Sequence, residues 1–499
     1  MTIDPPHRSI QERLASGLNS SDVLTALESC SRNFFSRYGT RQLLGNSFFR
    51  QLASESDNQL RPENIFDILI SLCGYKEDIP GFFNTLVSRL FSTDPNPDVL
   101  KGIILPKLYL YELLTIIIPL NRVHRISTPE QLERLAPGLI RESESEKLQE
   151  VLDLYPVRLS DHVIRQSLVS KGVAGQYLPC VRELDGTGHD ITFDGHFKKG
   201  MLEQMYTNRV VFLLDMRCPV YCRFCFRKHK SNRKEPVPTI EDVANAVDHV
   251  RQHPSVKEIL ITGGEPLLNG PNLDAAVSGL IRIAHVETLR LATRTLAYFP
   301  QFFTADKDAV LNDLIEKGRQ CRHAGKRLEI GIHLVHPDEV SVQSLEIIST
   351  LVQNGIPVYV QTPFLNGLNT DGKILARLFT LLRQAGAQIY YIFAPCSPIH
   401  GTKSYWAPIS SAIKAARYLR EQVSDRLVPK LCTATPLGKI EWHTSGWAVE
   451  KDREYTWIRT PYTREYFEQF TVEPGQMPDY RENCEGTLDA RFQIDMGDD

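Results

Sequence analysis

Cys218, Cys222 and Cys225 lie within eight residues of one another in Asp215-Met216-Arg217-Cys218-Pro219-Val220-Tyr221-Cys222-Arg223-Phe224-Cys225-Phe226-Arg227-Lys228, directly behind the apolar run Val210 to Leu214. Thiols this close form one site. A closed structural zinc site takes four ligands, and neither a second CxxC nor a His pair at finger or ribbon spacing follows downstream. Iron–sulfur clusters are also held by four thiolates as a rule, so a cluster held by three leaves one iron open to a ligand that is not protein. Cysteines placed by chance and an incomplete zinc knuckle are the alternatives, and both suit the ligand count less well.

Other residues able to do chemistry close further apolar runs. Thr262-Gly263-Gly264-Glu265-Pro266 ends one of them. Two glycines there let a ligand approach the backbone, and their N–H groups can hold an anionic or polar head. A tight strand-to-helix turn explains the pair equally well. Gly331-Ile332-His333-Leu334-Val335-His336-Pro337-Asp338-Glu339 ends another run, Gln361-Thr362-Pro363-Phe364-Leu365-Asn366-Gly367-Leu368-Asn369 a third, and Tyr390-Tyr391-Ile392-Phe393 forms a fourth. Taken alone, His333 reads as a strand-end histidine and Arg209 as a salt-bridge partner.

The elements that must position these residues are six short apolar runs: Val210–Met216, Glu258–Thr262, Thr288–Ala292, Leu328–His333, Val358–Gln361 and Gln388–Phe393. Between them lie helix-patterned segments such as 240–250, 306–321, 342–354 and 374–385, each about the length of a crossover helix. Alternation of this kind implies an α/β fold with a parallel sheet, either an open barrel or a doubly wound sheet. In both, ligands bind at the C-terminal strand ends, where the residues above cluster. Upstream, residues from about 9 to 120 read as a run of helices with no catalytic constellation. Thr128-Pro129-Glu130-Gln131 then starts a new helix, with Thr128 as N-cap, Pro at the first helical position and Gln131 closing a capping box.

CxxxCxxC with an aromatic residue before its last cysteine, followed one strand–helix unit later by Gly263-Gly264-Glu265, resembles the signature of the radical S-adenosylmethionine (SAM) enzymes. With Tyr206-Thr207-Asn208-Arg209 and the three strand-end segments, the chain is similar to the lysine 2,3-aminomutase family from about Thr128 to about Val449. The resemblance implies a partial six-stranded β/α barrel carrying a [4Fe-4S] cluster on Cys218, Cys222 and Cys225, with SAM on its open iron. Gly263, Gly264 and Glu265 would hold the methionyl amino group, and His333 and Gln361 would contact SAM. Arg227 would pair with the substrate α-carboxylate, and Arg209 would help to hold pyridoxal 5′-phosphate (PLP). The family attaches PLP to a lysine after a glycine-rich turn beyond the barrel. Lys439, in Thr433-Ala434-Thr435-Pro436-Leu437-Gly438-Lys439-Ile440, is the candidate, although Pro436 and Leu437 stand where glycines are usual; a surface lysine after a turn is the alternative.

Family members acting on lysine grip its ammonium with two aspartates, and the matching positions are Cys396 and either Cys432 or Thr433. A neutral pocket does not repay the desolvation of an ammonium, so an amino acid other than lysine, with a small or uncharged side chain, is implied. The reaction implied is transfer of the α-amino group to the β carbon after hydrogen abstraction by a SAM-derived radical. The cysteines of the family's C-terminal zinc site are missing, since only Cys484 follows Cys432. Two other functions stay open: a radical SAM enzyme that works without PLP, and a metal-binding module whose basic cluster binds RNA.

Composition narrows the partners. The chain of 499 residues is 42% hydrophobic and 23% charged with net charge -3, which makes no global case for nucleic acid or an anionic membrane. Basic residues gather locally at Arg217, Arg223, Arg227, Lys228, Lys230, Arg233 and Lys234, which reads as a solvated loop plus anion-binding groups. No apolar leader segment opens the sequence, and the most apolar stretch, 102–120, carries Lys107, Glu112 and two prolines. Of the ten cysteines, the seven outside the cluster are scattered with no framework spacing, which suits a reducing, cytoplasmic setting. A small amino acid substrate, an electron-donor protein such as flavodoxin or ferredoxin and a homo-oligomer complete the expectation. The division is 1–124 as helical extension, 125–205 as helical entry segment, 206–425 as barrel and 426–499 as the segment with the cofactor lysine.

Overall fold

The computed structural model describes residues 122–492 apart from 137–144, 186–197, 226, 228–235, 395–402, 436–437, 443–446, 453–454 and 469–478, together with 68, 70, 71 and 74. The N-terminal run of helices, the apolar stretch 102–120, Cys396 and most of the basic cluster fall outside these residues. Ile68 and Ile70 pack into the main core.

The entry segment is an antiparallel pair, β1 (Val123–Ile126) on β2 (Val157–Ser160), with four helices, α1 (Pro129–Leu135), α2 (Ser145–Leu154), α3 (Asp161–Val169) and α4 (Lys171–Tyr177). Thr128 caps α1 as its sequence implies, its hydroxyl accepting from the Gln131 N–H at 3.3 Å. The capping box closes one residue earlier than expected. Gln131 Oε1 accepts from the Ser127 N–H at 2.8 Å, because the side chain reaches past Thr128. Leu132, Leu148, Leu152, Val157, Val163 and Tyr177 contribute to a core of the segment's own.

Ten strands form the main sheet: β3 (Lys198–Lys199), β4 (Leu202–Tyr206), β5 (Arg209–Asp215), β6 (Glu258–Gly263), β7 (Thr288–Thr293), β8 (Arg327–His333), β9 (Val358–Pro363), β10 (Gln388–Phe393), β11 (Lys430–Thr435) and β12 (Gly438–Glu441). They lie in sequence order across the sheet. β5 to β11 are parallel, with β3 and β4 added antiparallel at one edge and β12 at the other. The six expected strands are present with nearly the expected bounds. β11 is a seventh parallel strand that the sequence pattern did not reveal, since Leu431-Cys432-Thr433-Ala434 has a single large aliphatic residue.

Strand alternation sets the two faces apart. Val210, Phe212 and Leu214 of β5, Ile259 and Ile261 of β6, Leu289 and Leu291 of β7, and Leu328, Ile330 and Ile332 of β8 enter the main core. That core is completed by apolar faces of α5 (Ile240–Gln252), α6 (Gly270–Leu280), α8 (Gln301–His323), α9 (Val342–Gln353), α10 (Gly372–Gln384) and α11 (Ile409–Gln422); α7 (Thr295–Tyr298) is a single turn before α8. Alternate residues, among them Arg209, Arg290, Glu329, His333, Gln361 and Tyr391, take the other face. A doubly wound sheet reverses its strand order and is apolar on both faces. This one does neither, so it is wound in one direction with its crossover helices on one side. Four further strands, β13 (Trp447–Asp452), β14 (Tyr455–Arg459), β15 (Tyr480–Glu482) and β16 (Leu488–Phe492), make a separate antiparallel sheet. Among the described residues, no helix is long and apolar enough to cross a membrane.

Candidate active site

The cysteine loop leaves the C-terminal end of β5 and is clamped from outside by the entry segment. Arg223 is buried, its Nη2 2.6 Å from Glu183 Oε2 and its Nε 2.9 Å from Oε1, while Nη1 donates to the Pro156 carbonyl. The Arg223 N–H donates to Gln176 O and the Tyr221 N–H to Arg158 O. Val220 inserts into the entry segment's core. Arg223 is therefore not part of a solvated basic loop, and Arg217 is tied to the buried Asp215 at 2.7 Å. Burial of the guanidinium forces this pairing, because an unpaired charge there would cost several kcal/mol, about 3–5 in measured cases.

The three thiols act on common neighbours. Cys218 and Cys222 both lie close enough to the buried Tyr298 hydroxyl to oppose its ionisation, and Cys225 acts in the same way on Cys222. Among the described residues, no three of His, Cys, Asp and Glu converge as ligands of a single ion would. Three separate corners of a cluster do not need to converge, so the donor set fits an iron–sulfur cluster better than a zinc ion.

Gly263 and Gly264 do something other than present free N–H groups. The Gly264 N–H donates to Asp215 O at 2.6 Å and the Glu265 N–H to Arg217 O at 2.8 Å. Gly263 has φ 138°, and a Cβ on Gly264 would stand 2.4 Å from Arg217 O and 2.5 Å from Met216 O. The glycines thus bind the start of the cysteine loop to the end of β6. Glu265 is buried: its Oε2 accepts from Thr293 Oγ1 at 2.9 Å, Tyr298 Oη at 3.0 Å and the Arg294 N–H at 3.3 Å, and its Oε1 from the Leu267 N–H. Burial raises its pKa. Oε1 alone keeps acceptor capacity for an ammonium.

His333 and Gln361, opposite each other on β8 and β9, are joined by a 2.9 Å contact between Nε2 and Oε1. Burial pulls His333 down to about 4, so the ring is neutral at physiological pH. Arg294, at the end of β7, is a hub that the sequence reading missed. Its Nη1 donates to Cys222 Sγ at 2.7 Å, its Nε to His333 O at 3.3 Å, and its Nη2 to Glu339 Oε2 at 2.8 Å and to Gln176 Oε1. The available signal was a charged residue just past the apolar run Thr288–Ala292, on the same rim as His333. Arg227 is half-buried two residues beyond Cys225.

Lys439 stands on β12, paired in register with Ala434, and is not on a loose surface turn. Its N–H donates to Tyr206 Oη at 2.9 Å, and its Nζ donates to Tyr391 Oη at 3.1 Å and lies 4.6 Å from the Tyr391 ring centroid. The residue as a whole is exposed, yet the amine itself is screened by the Tyr391 and Phe393 rings. Burial of the amine, with the charges of Arg209 and Arg290 beside it, lowers its pKa to about 8. A register shift in β10 between Ile389 and Tyr391 leaves Tyr390 as the extra residue of a bulge and brings the two tyrosine rings to 4.4 Å. Arg209 makes no ion pair among the described residues, and its guanidinium lies 3.8 Å from the Tyr206 ring centroid. An amine that sheds its proton near neutrality, next to an unpaired cation and aromatic rings, fits PLP. Lys439 also acts electrostatically on His333, which puts the two halves of the site on one surface.

Residues 216–378 match the family model for the radical SAM superfamily. The fold, the three-thiol loop and this match define a radical SAM enzyme, with a [4Fe-4S] cluster and SAM as cofactors. A protein of Aquifex aeolicus (strain VF5) named "Putative L-lysine 2,3-aminomutase" is 30% identical over 331 residues, 64% of this chain and 84% of that one. The L-lysine 2,3-aminomutase of Clostridium subterminale is 27% identical over 63% of this chain and 74% of its own, and the glutamate 2,3-aminomutase of Clostridioides difficile (strain 630) 27% over 56% and 63%. The chain belongs to the lysine 2,3-aminomutase family. That membership removes the reading as an RNA-binding module.

Proposed function

We propose that this protein is a PLP-dependent radical SAM 2,3-aminomutase acting on an amino acid other than lysine, with its singly wound sheet forming an open barrel around the site. The observation that carries the reading is the placement of Lys439. A lysine with a pKa of about 8 shares one face of the sheet with His333, Gln361 and the cysteine loop, close enough for its charge to act on His333. When bound, the cluster and SAM supply hydrogen abstraction, and PLP supplies a ring over which an unpaired electron is delocalised.

The chain's own residues bind and orient. Cys218, Cys222 and Cys225 hold the cluster, and the Gly263-Gly264-Glu265 turn fixes the loop that carries it. His333 and Gln361 meet SAM as a neutral hydrogen-bonded pair, so neither brings a charge to be desolvated. Lys439 Nζ offers a neutral amine for carbonyl attachment, Arg209 offers a cation to the phosphate, and Arg227 offers a planar fork to the substrate carboxylate. The cations acting on Lys439 are Arg209 and Arg290, and either Cys432 or Thr433 stands where the family members acting on lysine would carry an aspartate. Such a pocket repels a second ammonium, which supports a substrate other than lysine. A flavodoxin- or ferredoxin-type donor would reduce the cluster.

Borohydride reduction of the protein incubated with PLP, followed by peptide mass spectrometry across Leu431 to Trp442, tests the assignment. A pyridoxyl adduct on Lys439 is expected. An unmodified Lys439 at saturating PLP would rule out amino migration by this route and leave a radical SAM enzyme that works without PLP.

A further inference from the structure

The Arg294–Glu339 pair is a buried, multiply bonded charge pair beside the cysteine loop. Glu339 is fully buried behind Arg294: its Oε1 accepts from the Val335 and His336 N–H groups, and its Oε2 from Arg294 Nη2 at 2.8 Å and Tyr177 Oη at 3.3 Å. The Arg294 guanidinium lies 4.8 Å from the Phe224 ring centroid and 4.9 Å from that of Tyr177, so two aromatic rings help to hold it. One edge of this immobilised guanidinium meets Cys222 Sγ. The orientation is set from the opposite direction by Glu339, a residue 117 positions past Cys222 in the chain.

We propose that Arg294 is a positioning residue for the cluster and sets its reduction potential, with Glu339 as the opposing charge. Hydrogen bonds to cluster sulfurs and the local net charge are among the factors that fix iron–sulfur potentials. Adding one electron makes the cluster more negative, so a cation donating to a ligand sulfur favours the reduced form. Glu339 tempers that effect, and without it the full charge of Arg294 would act on the cluster through a low-dielectric interior. The same guanidinium reaches His333 O, and its backbone N–H reaches Glu265. A change in its position would therefore be felt at the SAM contacts as well. The inference concerns the cluster alone and stands whether or not Lys439 carries PLP.

Redox titration of the reconstituted holoprotein, followed by electron paramagnetic resonance of the reduced cluster, tests it. Arg294→Gln is expected to move the midpoint to more negative potential, by at least the tenfold change in reduced-to-oxidised ratio that corresponds to about 59 mV for one electron. Glu339→Gln is expected to move it the opposite way, and Arg294→Lys, which keeps the charge but loses the planar fork, to fall between Arg294→Gln and the unaltered protein. A general loosening that lets water in would shift both neutral variants in the same direction, and that result overturns the proposal, as do unchanged midpoints. If Arg294→Gln takes up no cluster, Glu339→Gln carries the test, and absence of its positive shift is then decisive. If neither loads, a midpoint for Arg294→Lys equal to that of the unaltered protein rules the guanidinium geometry out.

Discussion

Charges around the cysteine loop are paired and mostly out of water, whereas Arg209, one of the two arginines acting on Lys439, has no carboxylate partner among the described residues. On the first side Arg223 pairs with Glu183, Arg217 with Asp215 and Arg294 with Glu339. On the second, Lys439 faces Arg209 and Arg290, with only Arg290 matched by a carboxylate, Glu329 at 2.7 Å. Paired buried charges give a stiff mount. Burial, helped by the unmatched Arg209, instead takes the proton off an amine, and that cation leaves room for an anion. The first arrangement suits a cofactor that must be held in one place, and the second suits one that is captured by a reacting lysine.

The comparison can be broken most severely at the thiols. Cys225→Ser is expected to abolish both the cluster's absorbance and reductive cleavage of SAM, since two thiolates leave the cluster without a third corner. Next comes the clamp: Glu183→Gln leaves Arg223 buried and unpaired and should cost about 3–5 kcal/mol in denaturant unfolding. Replacing both partners with apolar residues of similar volume should cost much less, which separates the charge from the packing. A Gly264→Ala change sets a methyl against two backbone carbonyls and should cost about 1–3 kcal/mol, with weakened SAM binding measured by calorimetry.

The lysine side is sharpened by pH. Lys439 is held below its ordinary value near 10.4, so the neutral amine is the form the native state favours. The linked stability is fully present above that ordinary value and is lost as pH falls through about 8. PLP adduct formation should follow the neutral fraction, rising to a plateau with a midpoint of about 8 and falling about tenfold per pH unit below it. Arg209→Gln removes one of the cations that lower the value, and should move the midpoint upward when adduct is measured across the same range. A midpoint unchanged by Arg209→Gln would mean that burial and Arg290 tune the amine without Arg209.

Much of the mount was legible in the sequence. The bounds of β5 to β10 follow from apolar runs of period two between amphipathic helices, because burial of one sheet face is a local pattern. The order of the cysteine loop, the Gly263-Gly264-Glu265 turn and the His333 and Gln361 strand ends followed from the same runs, since C-terminal strand ends share one rim. β11 escaped because its pattern lacks aliphatic weight; its pairing with β10 and β12 supplies what its composition does not. Arg223 was misjudged for a different reason. A run of basic residues reads as solvated until its partner is known, and Glu183 lies 40 residues away.

By itself, then, the sequence determined the parallel α/β class and the three-thiol site, which rest on periodicity and spacing along the chain, and its motifs carried the resemblance to the family. Only the tertiary structure decided that the glycines bind the cysteine loop, that Tyr390 bulges and sets its ring against that of Tyr391, and that Lys439 lies on a strand beside Tyr206 and Tyr391. It also decided that Arg294 reaches Cys222 across 72 residues. The physical reason is the same in each case. Periodicity reports which face of an element is buried, but the partner of a polar group is set by which strand ends the fold brings together.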